Sequence, residues 1–120
     1  MKAYKIFAVF GDEFYALYNH YDPEGYIMRF NYSKTEWNER LDKMGPYCAF
    51  KTLDNAYFFI DFEGYNEDYA ICKIECKLSK DQKVWDSRKN ICTSFPTGTV
   101  LIDRFKIIRE VFGDESIQDF

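Results

Sequence analysis

The chain has little that breaks regular structure, with 3 prolines and 6 glycines in 120 residues. No Gly-, Ser- or Pro-rich stretch divides it, and no repeat or low-complexity tract appears. That excludes a linker-joined pair of domains and leaves one domain over residues 1–120. Long hydrophobic runs are also missing. Nothing approaches the ~18 apolar residues of a membrane-spanning helix, and no apolar stretch with a small-residue cleavage site follows Met1. A cytoplasmic protein without a membrane partner is expected. Charge of one sign is not in excess either: the formal net charge is -4, too thin for a surface that imitates nucleic acid.

Catalytic groups are scarce. The one histidine, His20, sits beside an Asp-Pro turn, and any Ser-His-Asp or Cys-His site would have to use it. Close metal-ligand sets, a P-loop and Gly-x-Gly-x-x-Gly are all absent. The carboxylate pairs Asp61/Glu63 and Glu67/Asp68 have no surroundings that would split their pKa values. No catalytic set, no metal and no cofactor is therefore expected.

What is present is a large apolar inventory, 47% hydrophobic and 20% aromatic, which is ample for a packed core. Cys72, Ile74, Cys76 and Leu78 alternate with Lys73, Glu75 and Lys77, the pattern of a half-buried strand. Two cysteines four apart on a strand lie ~13 Å from each other, too far for a disulfide or for shared zinc ligation. Cys48, Cys72, Cys76 and Cys92 are all read as small core residues of a reduced protein.

Strands are expected over 2–10, 14–18, 26–32, 70–78 and 99–111, with 47–50 a short strand or extended link. Ser33-x-x-Glu36 has the capping-box pattern and opens a helix to about Met44, with Trp37, Leu41 and Met44 as its stripe and Gly45-Pro46 as its end. Thr52 caps a second helix from Leu53 to about Phe62. Ser79-x-x-Gln82 is compatible with a short helix, and Phe95-Pro-Thr-Gly98 forms a turn. The final strand is apolar on both faces, which implies a central position or a bulge. The order βββαβαββ predicts an α+β fold, a mostly antiparallel sheet with two main helices packed on one face.

The charge is unevenly spread. Residues 73–109 carry nine basic and four acidic side chains, and the first 72 residues carry seven basic and twelve acidic. Such a local field attracts an anion whatever the total charge. The segment from Lys83 to Asn90 mixes Trp85 with Arg88, Lys89 and Asn90, and Phe95 follows. An arginine fork beside a planar ring suits a phosphate with a stacked base. Trp85, Arg88, Lys89, Asn90, Phe95, Arg104 and Arg109 are the candidate ligand-binding residues. Simple alternation places Arg104 and Lys106 on one strand face and Arg109 on the other.

The stretch Gly45-Pro-Tyr-Cys-Ala-Phe-Lys-Thr-Leu-Asp-Asn-Ala56, the strand ending Ile-Glu-Cys-Lys77 and the final apolar strand together resemble small phage-type and ADP-ribosyltransferase-like domains over residues 45–111. The catalytic pattern of those transferases is not met: Leu17-Tyr-Asn-His20 stands where an Arg or His would begin a core strand, and no Glu-x-Glu opens the last strand. The resemblance therefore implies a binding fold without turnover. The short, Tyr-, Phe-, Asn- and Lys-rich composition also resembles phage or prophage proteins. The expected function is a non-enzymatic inhibitor of anti-defence type that sequesters a bacterial host factor, either a defence protein or a small nucleotide signal. A diverged nucleotide-acting enzyme and a structural or assembly protein, including a homo-oligomer, are the alternatives.

Overall fold

In the computed structural model the residues described are 1–16, 31–40, 46–63, 68–82, 85–86, 91–92 and 95–111. In chain order the elements are β1 (Lys2–Phe10), β2 (Glu13–Ala16), β3 (Asn38–Glu39), β4 (Tyr47–Phe50), α1 (Leu53–Glu63), β5 (Tyr69–Leu78), β6 (Trp85–Asp86), β7 (Ile91–Cys92) and β8 (Thr99–Val111). All pairings are antiparallel. β5 lies between β1 and β8, β4 pairs with the other edge of β8, and Tyr4 of β1 meets Phe50 of β4. The circuit β1–β5–β8–β4 is thus a small closed barrel.

Further along, β2 continues the β1 edge and β3 continues the β8 edge. Phe14 bridges Tyr32 between them, and the Tyr32 amide donates to the Phe14 carbonyl at 2.8 Å. The short β6–β7 pair stands apart from this sheet.

Closure depends on side-chain volume. A four-stranded barrel is narrow, since diameter grows with strand number. Its interior takes Ala3, Ala49, Ala70, Cys72 and Cys76, all buried, and these leave room for Phe7, Phe14 and Phe105. Phe7 and Phe105 are among the fully buried side chains, and burying such a side chain is worth roughly 1.5–3 kcal/mol. Outside the barrel, Leu53, Ala56 and Ile60 of α1 pack on Tyr4, Ile6, Phe50, Ile71 and Val111. The opposite side of the helix leaves Phe58 and Phe62 63% and 77% exposed, their rings stacked at 6.2 Å.

The α+β expectation with two main helices is overturned. The chain is mostly β and, among the described residues, α1 is the one helix. α1 starts as the sequence indicates: the Asn55 amide donates to the Thr52 hydroxyl at 3.1 Å, a contact typically worth ~1 kcal/mol. The expected helix after Ser33 does not form. Its capping bond exists, with the Glu36 amide donating to the Ser33 hydroxyl at 2.9 Å, but the Thr35 amide donates there too. The Asn38 side chain then holds the Ser33 backbone, accepting from its amide at 2.8 Å and donating to its carbonyl at 3.0 Å. Side-chain bonds of this kind offer the backbone an alternative to helix, and Asn38–Glu39 join β8 as a strand. Residues 41–45, the expected end of that helix, lie outside the described residues, as does most of the strand expected over 26–32.

Ser79 does not open a helix either. The Asp81 amide donates to its hydroxyl at 3.1 Å. The Gln82 side chain instead stands in for a strand residue beside β8: it donates to the Leu101 carbonyl at 2.9 Å and accepts from the Leu101 amide at 3.1 Å.

β8 carries register shifts opposite Lys73/Ile74 and Lys77/Leu78. The extra residues are Ile108 and Asp103, each unpaired with β5 in that ladder. A bulge turns the residues beyond it to the other face. Ile102 and Phe105 therefore both face inward, whereas Arg109 and Val111 both face outward. The bulge expected from two apolar faces is present, but the face assigned to Arg109 from simple alternation is corrected.

Of the cysteines read as core, Cys72 and Cys76 are buried and Cys48 is exposed, because its neighbours Tyr47 and Ala49 take the inward positions. The Cys92 side chain is outside the described set.

Two tests follow from packing. Gly98 has a φ of +82°, and a Cβ there would run into the Asn55 side chain, whereas Gly11 at +62° faces open space. Gly98→Ala should cost ~2–3 kcal/mol from left-handed strain plus overpacking, and Gly11→Ala ~1 kcal/mol. Denaturant midpoints compare them, and equal losses would remove the Asn55 contact as a constraint. In a Cys92→Ser background, a thiol reagent in native buffer should label Cys48 and spare Cys72 and Cys76 until the chain unfolds.

Candidate anion-binding face

The outward residues of β1, β5 and β8 form a grid set by register. Lys77 faces Arg104, Glu75 lies between Lys2 and Lys106, and Lys73 lies between Tyr4 and Arg109. Successive rows are two residues apart along β5, ~7 Å. Glu39 of β3 extends the first row from Arg104. Two of the three rows thus place cation directly opposite cation, an arrangement that destabilises a sheet. The mid-row acid is engaged: Glu75 Oε1 accepts from the Met1 amino group at 3.2 Å.

Arg104 is held from two sides. Its guanidinium lies 4.2 Å from the Trp37 ring centre, and one terminal nitrogen is 3.6 Å from Glu39. Trp37 itself is partly exposed. A planar fork held against a ring keeps its orientation, and this favours bidentate recognition of phosphate or carboxylate. Lys73 reaches toward the Tyr4 ring, 5.9 Å from its centre. Arg40 pairs with Asp103 at 3.4 Å, so the bulged residue is anchored from β3's side. Surface pairs like these contribute only ~0–1 kcal/mol each, and Glu39 and Glu75 are outnumbered on the face by Lys2, Lys73, Lys77, Arg104, Lys106 and Arg109.

Arg104 and Arg109, two of the sequence-derived candidates, are brought to this one face. Phe95 is half-buried in the turn before β8, and Thr99, where that strand starts, is five residues or ~17 Å from Arg104. The structure does not bring it to the grid. Trp85 lies in β6 and pairs with Cys92, with its side chain outside the description. Arg88, Lys89 and Asn90 lie outside the described residues, as does His20. The sequence reading missed Lys2, Lys73, Lys77 and Trp37 as members. The alternation of Lys73, Glu75 and Lys77 was the available signal for the two β5 lysines.

Beneath this face is a second unusual cation. Lys5 occupies an inward position opposite Cys72 and is 7% exposed. Its Nζ donates to the Cys48 carbonyl at 2.9 Å. It lies 5.5–5.9 Å from the ring centres of Phe7, Tyr32, Tyr47 and Phe105. Those four rings also pack on one another, mostly edge to face. Burial pushes the Lys5 ammonium down to about 8, and the same burial raises the Tyr47 hydroxyl to about 12 and the Tyr32 hydroxyl further. The lysine is enclosed by the core, so its role is internal.

Among the described residues no helix is long and apolar enough to cross a membrane, and no three His, Cys, Asp or Glu side chains converge as metal ligands.

Lys5 binds its proton less tightly folded than unfolded, so the unfolded chain holds more protons between pH 8 and 10.5 and folding strengthens as pH rises through that window. Lys5→Met should be more stable than the parent at pH 7, by up to ~3 kcal/mol from the size of the shift. The gap should close between about pH 8 and 10.5. Urea titrations of both proteins at pH 7 and 9.5 measure it, and taking the difference cancels the raised tyrosines and thiols. A gap that stays constant would mean that Lys5 titrates normally.

No protein family, no curated protein and no solved structure matches this chain, so the likeness of residues 45–111 to ADP-ribosyltransferase-like domains stands on those residues alone.

Proposed function

We propose that this chain is a small non-enzymatic binding protein that docks an anionic partner on the outer face of β5 and β8. Its role in this reading is that of a phage- or prophage-encoded inhibitor, holding a host factor away from its task in the bacterial cytoplasm. The observation that carries the docking reading is the direct pairing of Lys77 with Arg104 and of Lys73 with Arg109. Like charges opposite each other weaken a sheet, and an anion seated between them turns that repulsion into attraction. The exposed Trp37 edge beside Arg104 adds the residue types most enriched at binding hot spots. The inhibitory role rests on the composition of the chain and on the small set of groups it offers for catalysis.

Native mass spectrometry after purification from bacterial cells tests the reading. The parent protein is expected to retain an anionic partner, and Lys73→Glu/Arg109→Glu should lose at least 90% of it. The single variant Lys73→Gln should raise stability by a few tenths of a kcal/mol, more at low salt, by relieving repulsion. A partner held equally by the double variant, or a bare chain in both preparations, would place the function elsewhere.

A further inference from the structure

We infer that the anionic partner is the sugar-phosphate backbone of a single-stranded nucleic acid, lying along β8 across the three rows. This rests on the docking face proposed above and names what it takes. Three features favour a strand of phosphates over an acidic protein surface.

The first is spacing. Arg104/Lys77, Lys106 with Lys2, and Arg109/Lys73 present cations in rows that repeat at ~7 Å. That repeat is close to the separation of successive phosphates along an extended strand, which keeps it over any length, whereas carboxylates on a folded protein hold it only where a strand carries them at alternate positions. The Ile108 bulge is what makes the third row possible, since unbroken alternation would turn Arg109 inward.

The second is the platform at one end. Trp37 is partly exposed and has Arg104 against its ring at 4.2 Å. An aromatic ring next to a backbone-binding cation is the pairing used to stack a base while gripping its phosphate.

The third is the arrangement of the acids. Glu75, inside the grid, is engaged by the Met1 amino group, and Glu39 sits at the outer end of the Arg104 row. The cations of the first and third rows therefore face outward without an acid between them. The face is the outer side of a barrel, not a cleft, which suits a backbone tracked by charge with little reading of sequence.

The test uses the full-length chain and a fluorescein-labelled twelve-residue oligo-dT, read by anisotropy between 25 and 200 mM NaCl. Three phosphate contacts predict a slope of log K against log salt of about -2, from about -0.7 per phosphate on single strands. Lys73→Gln/Arg109→Gln should weaken binding at least tenfold at low salt and flatten the slope by about 0.7. Trp37→Ala should weaken it about tenfold while leaving the slope unchanged. Circular dichroism and thermal midpoints no lower than the parent's confirm that each variant is folded, and Lys106→Gln, in the middle row between Arg104 and Arg109, should likewise flatten the slope by about 0.7.

If oligo-dT does not bind but labelled poly-L-glutamate does, and the same substitutions release it, the docking face stands and the nucleic-acid assignment is overturned. If oligo-dT binds and none of the variants changes it, the strand lies elsewhere and both readings fail. If neither polymer binds at 25 mM salt, both fail as well.

Discussion

The width of the barrel governs the rest of the molecule. Four antiparallel strands that close on themselves leave an interior only a few side chains across. Small side chains at some inward positions must therefore make room for large ones that fill the middle, Ile74 and Ile102 among them. Ala3, Ala49, Ala70, Cys72 and Cys76 take the first role, and Phe7 and Phe105 the second. Larger residues at the small positions would hold the strands apart and reopen the sheet. The same tightness explains the enclosure of Lys5: its carbon stem fills space between the rings while its charge finds one carbonyl and four aromatic faces. A partly compensated charge in the core is costly, but it also disfavours any packing of these strands that leaves the ammonium without those partners.

β8 is the element that links core to surface. It serves β4 at its start, β3 at Arg104–Phe105 and β5 along most of its length. No single alternation satisfies all of these, because Ile102, Phe105 and Ile107 belong inside while Val111 must meet α1. The two bulges reconcile the demands, one at Asp103 and one at Ile108. Their effect on the outside is to collect Arg104, Lys106 and Arg109 over Lys77, Glu75 and Lys73. The charge pattern of the face is thus a by-product of packing inside, and the two cannot be altered independently.

Much of this was legible in the sequence where the signal is local. The period-two pattern of 70–78, the Thr52 cap and the turn at Phe95–Gly98 each name their element through neighbouring residues. Ser33 was misread because a hydroxyl accepting from an amide three residues on is common to a helix cap and to a tight turn; Asn38, five residues away, decides between them. Closure of the sheet was not legible, since it is fixed by the Tyr4–Phe50 meeting across more than forty residues. Nor was the position of Arg109: the two apolar faces of 99–111 are compatible with a bulge, but where it falls is defined by the partner strand. The inward placement of Lys5 ran against composition, which assigns a lysine in a strand to the wet side.

Gln82 has a wider consequence. Where β5 stops, the Leu101 carbonyl still accepts from the Ser79 amide at 2.9 Å, but without Gln82 the Leu101 amide would be left unpaired, part of the template on which strands of separate molecules add to one another. The primary amide of Gln82 carries a donor and an acceptor at nearly the spacing of a peptide group, and it fills that gap without contributing a strand. Together with the closed circuit of β1, β5, β8 and β4, it covers the ladder where β5 ends. A change from glutamine to leucine at this position would leave that amide without an acceptor and uncover a sticky edge. Polymerisation of the chain, with its concentration-dependent turbidity, would then arise from the loss of one side chain while the core stays whole.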